Sequence, residues 1–213
     1  MSWFINIMLQ ALNFFYIISG NYGYAIILLT IAINIALYPL TLSSIVQMAA
    51  MQKIQPKISE IQKKHKDKPD QMQKEIMELY KAEKINPLGG CLPLLLKIPF
   101  LIALFVSLQS QEFIKMINNA PGKSNFLWIS NLNAYDPYYV LVVLIAITTY
   151  FAQATMPGAA QQQNKGMMLF MPLIIAVISY RFPSGVQIYW VISNLVAIAQ
   201  QLYIARNVSR ETF

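Results

Sequence analysis

The sequence predicts an all-α integral membrane protein, a five-transmembrane-helix core with a cytoplasmic helical hairpin and an amino-terminal interfacial helix. Three observations carry that expectation. Of 213 residues, 56% are hydrophobic and only 12% charged, whereas soluble domains carry about a quarter charged. The first 52 residues hold no Asp, Glu, Lys or Arg, and residues 53–84 then hold nine lysines and six acids before the chain turns apolar again. Mean hydropathy is +0.46. A crossing of the hydrocarbon core takes roughly 20 apolar residues, so residues 1–213 have room for one integral domain and no large soluble one.

Taken in order, residues 1–19 are expected to lie as a helix in the membrane interface. Asn6, Gln10 and Asn13 recur at helical spacing among Trp3, Phe4, Ile7, Met8, Leu12, Phe14 and Phe15. A cleaved signal peptide would need a basic start and a small-residue cleavage site, and neither is found here. After Ser19-Gly20-Asn21-Tyr22-Gly23, residues 24–44 make span 1, with Asn34 and Pro39 inside it. Span 2 covers 88–108 and contains Pro93, Lys97 and Pro99; span 3 covers 138–154 and is introduced by Asp136-Pro137. Span 4, residues 167–180 with Pro172, is short for a bilayer. Span 5 covers 186–205 after the turn Arg181-Phe182-Pro183-Ser184-Gly185.

The charged segment 53–84 is itself patterned. Ile54, Ile58 and Ile61, then Met72, Ile76 and Leu79, form two helical apolar stripes separated by Lys66-Asp67-Lys68-Pro69-Asp70. That pattern predicts an antiparallel helical hairpin, with Asp67 capping the second helix and Pro69 in its first turn. Six of its nine lysines, Lys53, Lys57, Lys63, Lys64, Lys66 and Lys74, are left for water, lipid headgroups or a partner.

Lys and Arg sort to one side of the membrane if five spans alternate. Residues 53–84, Lys165, Arg206 and Arg210 fall together, against Lys115, Lys123 and Arg181 on the other side. The richer side is expected to be cytoplasmic, which leaves the amino terminus outside and the carboxyl terminus inside. The net charge of +7 needs no nucleic acid to explain it, and no specific nucleic-acid recognition by the core is expected.

Enzymatic constellations are absent. His65 is the single histidine and Cys91 the single cysteine, so a triad, a metal cluster and an internal disulfide all lack members. No glycine-rich phosphate loop is present. The chain is expected to be no enzyme, with no metal and no cofactor. Polar residues inside spans are more informative, because lipid cannot solvate them. Asn34 and Lys97 lie roughly 15 and 13 Å from the hairpin side at 1.5 Å per residue, so they are expected at one depth. Gln187, Ser193, Asn194, Gln200 and Gln201 on span 5, with Gln153 on span 3, are candidates for the same wet interior. On residues alone, a small channel or transporter with a polar site at Lys97 and Asn34 is a second reading, and a scaffold whose hairpin docks a soluble partner is a third. No internal repeat supports the transporter.

Several runs resemble the YidC membrane-protein insertase family, relatives of the mitochondrial oxidase-assembly and chloroplast albino insertases. They are Tyr38-Pro39-Leu40-Thr41, Gln55-Pro56-Lys57-Ile58, Tyr80 through Pro93 with Asn86-Pro87-Leu88-Gly89-Gly90-Cys91, Asp136-Pro137-Tyr138-Tyr139, and Phe182-Pro183-Ser184-Gly185 followed by Ser193-Asn194-Leu195. They occur in the family's order across nearly the whole chain. The resemblance implies a groove open to the cytoplasm and to lipid, in which hydrophilic tails of nascent membrane proteins cross while hydrophobic segments leave along spans 3 and 5. Ile147, Phe151, Ile188 and Ile192 are the slide contacts it suggests. It further implies membrane lipids as partners, with ribosome and Sec translocon as additional ones, a monomer, and a bacterial inner membrane. One departure stands out: the family usually has an arginine at Asn34 and a glutamine at Lys97. Either the cation has moved across the groove to Lys97 or the arginine was replaced.

Overall fold

The computed structural model describes residues 2–66, 68–86, 92–118, 125–157 and 165–211. Its described part is mostly helical, and the one β-bridge among the described residues joins Phe126 to Ile129. Helix α1, Ser2–Ser19, stops at Gly20, whose φ of 71° is the left-handed cap that glycine adopts without penalty. The side chain of Asn21 then accepts from the Gly23 amide at 2.7 Å and starts α2, Tyr22–Ala36, which turns away from α1 by 117°. Pro39 has no amide proton to continue the helical ladder, so the chain breaks at Leu37 and restarts as α3, Tyr38–Lys64.

Helix α3 corrects the hairpin boundary. Its 27 residues run unbroken from Tyr38, within the stretch expected as span 1, through the first charged arm, across Pro56. The change from apolar to charged sequence at residue 53 alters what the helix faces, and its backbone hydrogen bonding continues regardless. The second arm is α4, Pro69–Ala82, with Pro69 in its first turn. Lys68 occupies the cap position without a side-chain hydrogen bond; the cap expected from the sequence, Asp67, lies outside the described residues. Ile54, Ile58 and Ile85 form the seam between the arms, with Ala50, Met51, Ile76, Leu79 and Tyr80 packed on it. Burying each isoleucine contributes about 1.5–3 kcal/mol, so this seam outweighs the exposed ion pairs beside it. Those pairs are Lys57 to Glu83 at 2.6 Å and Glu75 to Lys64 and His65 at 3.3 and 3.0 Å.

The hydrogen bond from Lys64 holds the Glu75 carboxyl below its ordinary value of 4.5, and the charges of His65 and Lys64 add to it. A carboxyl with a depressed folded pKa stabilises fully above its unfolded value and loses that contribution as pH falls through the folded one. Hydrogen-exchange protection of α4, corrected for intrinsic rates, is therefore expected to drop below about pH 4.5, and Glu75→Gln should flatten that dependence.

The remaining helices among the described residues are α5, Leu92–Leu108; α6, Gln111–Asn118; α7, Val140–Ala154; α8, Lys165–Ser179; and α9, Ser184–Glu211. Among the described residues, one stretch, Ser184–Arg206, is long and apolar enough to cross a membrane alone; the bent pairs Ile5–Ser19 with Tyr22–Ala36 and Ile98–Leu108 with Gln111–Ile117 qualify jointly. Helices α7 and α8 have 15 residues each, or about 22 Å. Helix α7 begins two residues later than the start the sequence suggests for span 3, because Tyr139 takes a left-handed φ of 56° ahead of the helix. The segment 87–91, including Cys91, lies outside the described residues.

The main apolar core lies at the end of the bundle away from the hairpin. It joins Leu9 and Leu12 of α1, Ala25, Ile26 and Leu29 of α2, Leu104 and Leu108 of α5, Phe113 of α6, and Val186 and Tyr189 of α9. The loop before α7 caps this end through Ile129 and Leu132. Ser184 donates to the Ala134 carbonyl from both amide and hydroxyl at 2.7 Å, and the Gly185 amide donates to Leu132 O at 2.9 Å. Asp136 is buried and accepts from Trp128 Nε1 at 2.9 Å, the Tyr138 amide at 3.1 Å and the Leu141 amide at 2.7 Å. Close approach is also built in at Gly23, where an added Cβ would sit 2.3 Å from the Phe126 ring. Gly23→Ala is expected to lower stability by about 1–3 kcal/mol through overpacking, read as a lower Tm; adding Phe126→Ala should recover part of it.

Candidate functional site

Toward the hairpin the bundle interior changes from apolar to polar. Helix α9 carries two polar rows, Ser193 with Gln200 and Asn194 with Gln201, each pair seven residues apart and so nearly on one helical face. The first row meets α2. Asn34, 1% exposed, donates from Nδ2 to its own helix at Thr30 O, 2.8 Å away, and approaches Ser193 Oγ at 3.4 Å. Gln200 Nε2 donates to the Asn34 backbone carbonyl at 3.1 Å. The second row meets α7. Asn194 Nδ2 donates to Thr148 Oγ1 at 3.1 Å and Thr149 Oγ1 at 2.9 Å, while the Thr155 hydroxyl donates to Gln201 Oε1. Thr148 and Thr155 are also seven apart, so α7 and α9 pair in register over two turns.

Ser193 lies nine residues into the Ser184–Arg206 stretch, about 14 Å from the capped end at 1.5 Å per residue. The Asn34 level is therefore near mid-depth of that helix, and the Gln200 level lies about 10 Å nearer the hairpin. Hydrogen-bonding capacity is left over. The side-chain carbonyls of Gln153 and Gln200 are buried without a partner among the described residues, and the Asn34 to Ser193 contacts of 3.4 and 3.5 Å are at the limit of a bond. Orphaned carbonyls in an apolar surround cost about 1–3 kcal/mol each. Such a seam favours any donor that enters it, and none of Asn34, Gln153, Ser193, Asn194, Gln200 and Gln201 carries a charge.

Other expected site residues fall elsewhere. Gln187 is buried at the capped end, where Nε2 donates to Ser179 O at 2.8 Å and Phe182 O at 3.2 Å, closing the turn between α8 and α9 instead of lining the seam. Ile188 is 3% exposed within the core, since the first turns of α9 are enclosed on all sides, and so it presents no surface for sliding. Ile192 is half-buried against that core. Ile147 and Phe151 are exposed along α7. Lys53, Lys57, Lys63, Lys64, Lys66 and Lys74 are all exposed, with Lys57 and Lys64 ion-paired as described. Lys97 lies in α5, and its side chain is outside the described residues. Thr148, Thr149 and Thr155 were not among the residues singled out from sequence; their signal is the register they share with Asn194 and Gln201.

The described helices form a bundle with apolar packing at one end and polar contacts between α2, α7 and α9 toward the other. The same fold occurs in an active YidC insertase crystal structure with its first transmembrane domain resolved, at a TM-score of 0.73 and 24% identity over 95% of this chain and 46% of that one. Residues 14–211 match the 60Kd inner membrane protein family, and the chain belongs to that family. Among relatives named membrane protein insertase YidC, that of Geobacter sulfurreducens is 40% identical over 202 residues, 95% of this chain and 37% of the relative. That of Shewanella halifaxensis is 43% identical over 198 residues, 92% of this chain and 35% of the relative. The chain thus spans little more than a third of the length of these relatives.

Proposed function

We propose that this chain is the core of a membrane-protein insertase, crossing the bacterial inner membrane five times with its amino terminus outside and its carboxyl terminus and hairpin in the cytoplasm. The observation that carries the reading is the polar seam of α2, α7 and α9, capped by apolar core at one end and continued by α3 toward the hairpin at the other. The names of the relatives support it. A hydrophilic tail entering from the hairpin side exchanges water for the carbonyls of Gln153 and Gln200 and the side chains of Asn34, Ser193 and Asn194. Its hydrophobic segment leaves past the exposed Ile147 and Phe151 into lipid. No bond is made or broken; the tail is moved by the free energy of placing apolar segments in lipid.

Asn34 offers no cation at the family's arginine position, and we assign that role to Lys97 on α5, which attracts acidic tails. Nascent membrane proteins and lipids are the partners of this reading, with ribosome and Sec translocon as further ones for a monomeric core. The deciding experiment places a photo-crosslinking residue at Asn34 during translation of a short membrane protein. Adducts with the nascent chain are expected. Ion flux through reconstituted protein, with no adduct, would instead indicate a channel.

A further inference from the structure

Outside the seam, one cleft is lined by polar groups that the fold itself does not use. It lies between α1 and α6, has a volume of about 220 Å³, and is lined by Asn6, Leu9, Gln10, Asn13, Glu112 and Met116. The three amides are the polar stripe of α1, a helix that otherwise buries Met8, Leu9 and Leu12 and exposes Trp3, Phe14, Ile17 and Ile18. None of the three amides, nor the Glu112 carboxylate, has a hydrogen bond or ion pair with any described residue, and Lys115 one turn further along α6 does not close on Glu112. Four side chains rich in acceptors thus converge on one cleft, beside a helix face suited to acyl chains.

We propose that this cleft binds the primary-ammonium headgroup of an aminophospholipid, with the ammonium against Glu112 and the amide carbonyls of α1 and the acyl chains along the exposed face of Trp3, Ile7 and Phe14. An ammonium brings three N–H donors and no acceptor, which complements a carboxylate and three amide oxygens. The amide N–H groups remain free to donate to the adjoining phosphate. A quaternary choline headgroup has no N–H to offer and gains only the charge attraction. Carboxylate and amides together therefore select the primary amine. This goes beyond the insertase reading, and it depends only on α1 meeting lipid.

Native mass spectrometry of the full chain released from detergent, with dioleoylphosphatidylethanolamine or dioleoylphosphatidylcholine added, reads the preference directly. The ethanolamine lipid is expected to be retained roughly tenfold more tightly, the scale of one charge-assisted hydrogen bond. Glu112→Gln, which keeps shape and removes charge, should reduce that preference to about twofold or less, and Gln10→Met should weaken it separately. Equal retention of the two lipids by the parent, or an unchanged preference in both variants, overturns the proposal. Because retention is read without any insertion assay, the result is independent of whether the chain inserts proteins.

Discussion

Replacing Asn34 by leucine is expected to slow insertion of a polar-tailed substrate by roughly tenfold, the loss of about 1.4 kcal/mol of stabilisation along the path, while Tm stays level or rises. The two effects separate because the fold has little need of this side chain. Asn34 bonds back to Thr30 O in its own helix and reaches Ser193 only at 3.4 Å, and Gln200 bonds to the Asn34 backbone, which leucine keeps. A passing chain, in contrast, loses an amide at mid-depth. Reconstituted liposomes with protease protection of the translocated tail give the rate, and thermal unfolding in detergent gives the stability. An insertion rate within twofold of the parent would remove Asn34 from the path. In the same assay, Lys97→Gln should slow acidic-tailed substrates selectively; equal insertion of acidic and neutral tails by that variant would take the cation role away from Lys97.

Asp136→Ala is the substitution expected to cost the fold most, about 2–4 kcal/mol. One carboxylate caps α7 through the Leu141 amide, fixes the turn through the Tyr138 amide and holds the Trp128 indole. Alanine leaves all three donors at a buried site. Asp136→Asn should cost less, since Oδ1 still serves Trp128 and Tyr138 and only the Leu141 contact is lost. Thermal unfolding followed by tryptophan fluorescence tests both, with a Tm for alanine equal to the parent's as the contrary outcome. This loop carries the carbonyls that receive Ser184 and Gly185, so the damage should extend to the seal of the capped end.

The sequence made much of this readable, for reasons that differ by element. Asn34, Ser193 and Asn194 stood out because amides and hydroxyls within apolar runs must meet something, and the structure brings them to the α2, α7 and α9 contacts. The Asp136-Pro137 and Pro183-Ser184-Gly185 runs marked turns, and each turn is tied by side-chain or backbone bonds to the same loop. What could not be read was helical phase where burial is all-round. From Ser184 to Tyr189 every residue is buried, so Gln187 and Ile188 carried no amphipathic signal to say which neighbour each faced. The hairpin boundary was hidden for another reason: charge began at residue 53, but nothing at that point stops a helix.

That unbroken α3 makes the hairpin a lever. Its 27 residues extend about 40 Å at 1.5 Å per residue, from the loop beside His65 to a fulcrum at Leu37, where Pro39 interrupts the ladder less than one turn after Asn34. A sideways displacement of ~10 Å at the far tip corresponds to a rotation of only ~15° about Leu37. On the insertase reading, a large excursion of the hairpin tip would thus reach the level of Asn34 as a small turn.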